Sequence, residues 1–167
     1  TGLRNLTIPQ NVRTVGYGIV KESGIGVEQP RPKFTELTWN AKNGVWNESA
    51  NQYAKNEKMT IVVGQDVEVL PTRTMQAFVT CGAKDIQFKG PNWLDITNVG
   101  QMGKLIPLSS MPEGHYYADE SGCLYRLEED HAVLAYIPSG VKNYTVLATV
   151  PVNEANSKEL PVTAVGS

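Results

Sequence analysis

Two cysteines, two histidines and 17 carboxylates are the reactive inventory of this 167-residue chain. Cys123 and His131 could pair as a nucleophile and its base, but the expected reading is a core cysteine and a surface histidine. Ser109 and Ser110 lie near His115 in sequence alone, and no Gly-x-Ser-x-Gly elbow presents a serine between a strand and a helix. His115, Cys123 and His131 are evenly spaced by eight, which invites a zinc site. Zinc needs ligands within about 2.0–2.3 Å of one point, and the hairpin register expected below puts Cys123 and His115 on opposite faces. No metal is therefore expected. Asp119-Glu120 and Glu128-Glu129-Asp130 lack the alternating ladder of a calcium loop and read as solvated turns. Asp66, Glu68, Asp85 and Asp95 could supply paired carboxylates for glycoside hydrolysis, which depends on a separation that spacing in sequence does not fix. Gly16-Tyr17-Gly18 and Gly24-Ile25-Gly26 lack the third glycine and the following helix of a phosphate cradle. The expectation is a non-enzymatic chain with no catalytic residue and no cofactor.

Three indoles are the better candidates for a binding surface. Large aromatics usually plug a core, but exposed on a sheet they stack against sugar rings. Trp39 and Trp46 fall on one face if Asn43-Gly44 closes a hairpin, and Trp93 sits in the loop-like Gly90-Pro91-Asn92-Trp93-Leu94. Cys81 and Cys123, 42 residues apart, form either one disulfide or two buried thiols, with the thiol reading favoured. Asn5-Leu6-Thr7, Asn47-Glu48-Ser49 and Asn143-Tyr144-Thr145 match the glycosylation pattern. Among twelve Asn, these matches point only weakly to secretion.

The elements that must carry these residues read as strands. Val and Thr number 18 and 13, and both are stiff at χ1 and favour a pleated surface. Apolar and polar positions alternate over 144–152, over Thr74 to Cys81, over Asp85 to Lys89 and over Asp66 to Val69. Gly and Pro punctuate these runs at the 8–12-residue spacing of an all-β chain. Asn43-Gly44 suits a type I′ turn pairing Lys42 with Val45 and Ala41 with Trp46. A second hairpin turns through Asp119 to Gly122 and pairs Ala118 with Cys123 and Tyr116 with Tyr125. One short helix is expected over Glu48 to Glu57, capped by Asn47. No internal repeat is evident. The expected fold is mainly β, an antiparallel sandwich or jelly roll of about eight to ten strands with at most one short helix.

Three segments follow: an N-terminal arm over 1–11, a β-sandwich domain over 12–152, and a linker with a C-terminal strand or arm over 153–167. The start at Thr1 shows no basic-then-apolar leader. A net charge of −2 removes the field that drives nucleic-acid binding, and apolar runs of about six residues are too short to insert in a membrane. In composition and layout the chain resembles capsid, decoration and tail components of virus particles, and also surface-adhesion and carbohydrate-binding sandwiches. That resemblance implies a structural protein of a virion, a capsid-decorating or capsid-shell subunit. It would act through other copies of itself or other structural proteins of the assembly, its terminal arms reaching across. The alternative is a secreted or surface sugar-binding module using Trp39, Trp46 and Trp93.

Overall fold

The computed structural model describes residues 4–16, 35–47, 59–81, 83–97 and 111–166. Within these the chain is mainly β with one short helix. The first half winds as a parallel solenoid, each coil supplying a first and a second strand. The coils are β1 (Asn5–Ile8) with β2 (Thr14–Val15), β3 (Glu36–Trp39) with β4 (Val45–Trp46), β5 (Met59–Val63) with β6 (Val69–Leu70), and β7 (Ala83–Phe88) with β8 (Asn92–Ile96). The first strands form a four-stranded sheet in the order β1-β3-β5-β7, parallel throughout. Leu6, Leu37, Ile61 and Ile86 share one column, and Ile8, Trp39, Val63 and Phe88 another. All but the half-buried Leu6 are buried. β2 pairs with β4, and β6 with β8, again parallel. Coils two and three meet at the Lys42 carbonyl, which accepts from the N–H groups of Glu68 and Val69, both at 3.0 Å.

The parallel sheet overturns the expected all-antiparallel layering, and it exposes a repeat. From the inward residue ending the first strand to the inward residue of the second is seven residues in three coils (Ile8 to Val15, Trp39 to Trp46, Val63 to Leu70) and eight in the fourth (Phe88 to Ile96). The return path varies, so neighbouring residues of the Leu6 column lie 31, 24 and 25 apart in sequence. A constant half and a variable half conceal the period.

Asn43-Gly44 closes no hairpin, because β3 and β4 belong to different sheets. Gly44 is there for close approach: a Cβ on it would sit 2.5 Å from the Ala41 Cβ and 3.0 Å from Trp39 Cζ2. Met75 to Cys81 is not a strand either. It lies in α1 (Thr72–Thr80) and its C-cap, Cys81. Met75, Gln76 and Ala77 favour helix, and Thr74, Met75, Phe78 and Cys81 recur at helical spacing. Ala77 and Val79 are buried as well, so the inward side of the helix is broad enough to imitate alternation. The helix expected over 48–57 lies outside the described residues. The strand expected over 144–152 begins only at Thr149.

Beyond β8 the chain turns antiparallel. β9 (Gly114–Ala118) pairs with β8, then β10 (Leu124–Leu127) with β9 and β11 (Ala132–Tyr136) with β10. β12 (Thr149–Asn153) pairs antiparallel with β13 (Asn156–Val165), which runs parallel to β11. The resulting seven-stranded sheet, β12-β13-β11-β10-β9-β8-β6, separates two cores. Leu94, Ile96, Tyr116, Ala118 and Leu124 face the solenoid interior. Their neighbours Tyr117, Cys123 and Tyr125 face a second core completed by Val150 and Leu160 of the β12–β13 hairpin.

The β9–β10 hairpin is one residue out of the expected register: Ala118 pairs with Leu124, Tyr117 with Tyr125 and His115 with Leu127. Gly122, at φ +80°, closes a turn in which its N–H donates to the Asp119 carbonyl at 2.9 Å, and Asp119 N–H reaches the Cys123 carbonyl at 3.0 Å. A left-handed residue after a type I turn makes a three-residue loop, which shifts the pairing by one. Of the terminal segments, residues 5–8 form β1 against β3, and 156–165 lie as β13 between β12 and β11 of the same chain. Among the described residues no helix is long and apolar enough to cross a membrane.

Candidate functional site

Trp39 and Trp46 are brought together, but inside the solenoid. Both are fully buried and stacked, with ring centroids 6.0 Å apart and planes 9° from parallel. Phe78 of α1 meets both rings edge-on at 5.9 and 6.1 Å. Thr74 locks this cluster to the backbone: its hydroxyl donates to the Gly44 carbonyl at 2.9 Å and accepts from the Trp46 N–H at 3.0 Å. These two indoles present no face to a sugar. Cys81 and Cys123 are both buried and are not joined in a disulfide. Cys81 belongs to the solenoid core and Cys123 to the second core, and burial pushes the Cys123 thiol up to about 11.

Trp93 is different. Alternation along β8 sends Asn92 and Leu94 inward and turns Trp93 out to the second core, where it is half-buried. Its ring leans on Tyr117 at 5.3 Å, and its N–H donates to the Pro151 carbonyl at 3.0 Å. Two hollows meet at Trp93 and Glu68. One, of about 580 Å³, has Leu127, Val152 and Leu160 in its walls, with Asp95, Glu128 and Glu129 among its carboxylates. The other, of about 370 Å³, is lined by Gln65, Asp66, Asn92, Asn153 and Glu154 among others. Together they form a groove of the size that holds small ligands, lined by both apolar side chains and acids.

Several of those acids are engaged. Lys42 Nζ donates to Glu68 at 2.9 Å, His115 Nδ1 lies 2.5 Å from Asp95, and Arg126 Nε donates to Glu128 at 2.5 Å. Contact with Lys42 holds the Glu68 carboxyl below its ordinary value. A general acid in glycoside hydrolysis needs the opposite shift. His115 and Asp95 make a base-like pair, yet among the described residues no Ser, Thr or Cys lines either hollow. No group of three metal-ligating side chains occurs among the described residues.

Among the carboxylates weighed from sequence, Asp66, Glu68 and Asp95 converge on the groove, whereas the nearly buried Asp85 accepts from Gln87 elsewhere on β7. His115, at a distance from Trp93 in sequence, shares its groove through the β8–β9 register, which puts Asp95 opposite His115. Asp119, expected in a solvated turn, is instead buried. Its Oδ1 accepts from the N–H groups of Ser121 and Cys123 at 2.9 Å, and its Oδ2 from the Tyr144 hydroxyl at 2.5 Å. Tyr144 also meets the Tyr125 hydroxyl, which accepts from the Leu147 N–H at 3.1 Å. Burial and these contacts raise the Tyr144 hydroxyl well above its ordinary value. An Asp opening a turn that ends in Gly was the available signal. No protein-family model matches the chain, and neither a curated protein nor a solved structure does.

Proposed function

We propose that this chain is a non-enzymatic recognition module that works by surface contact, with the groove across Trp93 as its docking site. The observation that supports this is the placement of the indoles: two lie in the core, and the third lines the groove. The setting is the extracellular or virion surface expected from the composition. Intrinsic fluorescence tests the reading. A ligand of the groove alters emission from Trp93 and leaves Trp39 and Trp46 unchanged, and Trp93→Phe removes the response while far-UV circular dichroism stays the same. Failure of carbohydrate, peptide and oligocation panels to produce any response that depends on Trp93 would sink the proposal.

A second reading, assembly as a particle subunit, has its own support. Among the described residues β1 pairs only with β3, and β2 only with β4. A strand paired on one side is a template for a neighbour's backbone. Light scattering after size exclusion tests it; a monomer at high concentration argues against it.

A further inference from the structure

We infer that the groove takes a neutral oligosaccharide, with one sugar ring laid on Trp93 and its hydroxyls shared between the paired donors and acceptors beside it. This rests on the groove being a recognition site, as proposed above. The indole is the first ground. The Trp93 N–H is given to the Pro151 carbonyl at 3.0 Å, and the ring rests on Tyr117 at 5.3 Å. The half-buried ring is thus held in place before anything binds, and what it offers the groove is ring surface and no hydrogen bond. A pyranose has a face of C–H groups with its hydroxyls around the rim. Such a face buries apolar surface on an indole, and an indole already held costs little to order.

Hydrogen-bonding chemistry around the ring is the second ground. A hydroxyl both donates and accepts, so a rim of hydroxyls is matched by donors and acceptors set side by side. The groove holds two such sets. Asp95 lies two residues from Trp93 on the same face of β8, about 6.5–7 Å along the strand. The β8–β9 register puts His115 opposite Asp95, with Nδ1 at 2.5 Å from Oδ1. Asp95 Oδ2 and His115 Nε2 have no partner among the described residues, and Asp95 is about half exposed and His115 more so. Lys42 Nζ gives one N–H to Glu68 at 2.9 Å and has three to give. Gln65 and Asn153 line the second hollow with amides, which carry both roles. Charge is the third ground, and it decides among sugars. Six carboxylates line the two hollows, against Lys42 and Lys158. A surplus of one sign repels ligands of that sign, which disfavours uronic, sialic and sulfated sugars and leaves neutral ones unpenalised.

Isothermal titration calorimetry on the full chain, at low salt and at a few tenths molar, compares cellohexaose, maltohexaose, mannohexaose and chitohexaose with hexagalacturonate and tetralysine. At least one neutral hexasaccharide is expected to bind, with an affinity that salt leaves unchanged because no ligand charge is screened. Hexagalacturonate is expected to bind at least about tenfold more weakly. Trp93→Ala is expected to abolish binding. Asp95→Asn keeps the shape and removes a charged acceptor, and is expected to weaken binding about tenfold. His115→Ala, at a side chain 78% exposed, is expected to weaken it about threefold. These last two carry the test if Trp93→Ala unfolds the chain. Glu36→Gln, on the far-off β3, is expected to have no effect. Neutral-sugar binding that ignores Asp95→Asn and His115→Ala overturns the saccharide assignment, as does hexagalacturonate binding equally tightly. A response to tetralysine alone that depends on Trp93 overturns it too and leaves the recognition reading standing. Silence from every probe overturns it, and the recognition reading falls as well if peptide panels are also silent.

Discussion

Replacing Trp46 with alanine tests the solenoid core directly. A tryptophan buries about 150–250 Å², which at about 25 cal/mol per Å² is about 4–6 kcal/mol. Compactness of the unfolded chain trims that by roughly 10–40%. Loss of the stacked contact with Trp39 and the edge contact with Phe78 adds about 0.5–1.5 kcal/mol each. These terms come to roughly 3–8 kcal/mol, and the expected cost is about 5 kcal/mol, at the upper end of the range of about 3–5 kcal/mol seen for such truncations. Urea unfolding followed by circular dichroism measures it without relying on the indoles themselves. Trp46→Phe, which keeps one ring, should cost about 1–2 kcal/mol. A loss below about 1 kcal/mol for Trp46→Ala with an unchanged m value would refute the packing described for coils one to three. Iodide quenching of Trp46 in the native protein would do the same.

Thr74→Val removes the hydroxyl joining Gly44 to Trp46 and leaves two buried backbone groups unpaired; a loss of about 2–4 kcal/mol is expected in the same assay. Gly122→Ala places a Cβ 2.6 Å from the Phe88 carbonyl at a positive φ, and should lower stability by more than the roughly 1–2 kcal/mol of left-handed strain alone. Burial raises Cys123 from 9.0 to about 11 and Tyr136 from 10.0 to about 12. Groups raised on folding stabilise fully below their unfolded values, and that contribution is lost as pH climbs through the folded ones. Melting temperature should therefore fall between about pH 9 and pH 12, and a flat profile there would contradict the burial. A thiol reagent should find neither cysteine in the native protein and both after unfolding, with reductant leaving the melting temperature unchanged.

The β content was legible because Val, Thr and alternation all point the same way, and the β9–β10 hairpin was legible to within one residue. Its slip came from Gly122, whose positive φ is a property of the folded loop. The solenoid was not legible. Its identity lies in the seven-residue step from Ile8 to Val15 and from Trp39 to Trp46, while unequal returns break the period any scan would seek. Asn43-Gly44 misled because glycine serves two purposes, positive φ and close approach, and only the second operates beside Trp39. At the groove, Trp93 and single acids could be picked out. Their convergence depends on strand register and on the β12–β13 fold-back, which bring Glu68, His115 and Lys158 to one place from distant parts of the chain.

The position of β13 in the seven-stranded sheet has a consequence for biosynthesis. It is inserted between two strands made before it, β11 and β12, and it brings Leu160 to the second core. A nascent chain emerging up to Tyr136 has the strands of the meander, yet the side of Tyr117 and Tyr125 that Val150 and Leu160 cover in the finished protein is still bare. Closure waits for the segment around Leu160 to clear the ribosome, and a stalled or prematurely ended product would display an aromatic surface to the quality-control machinery.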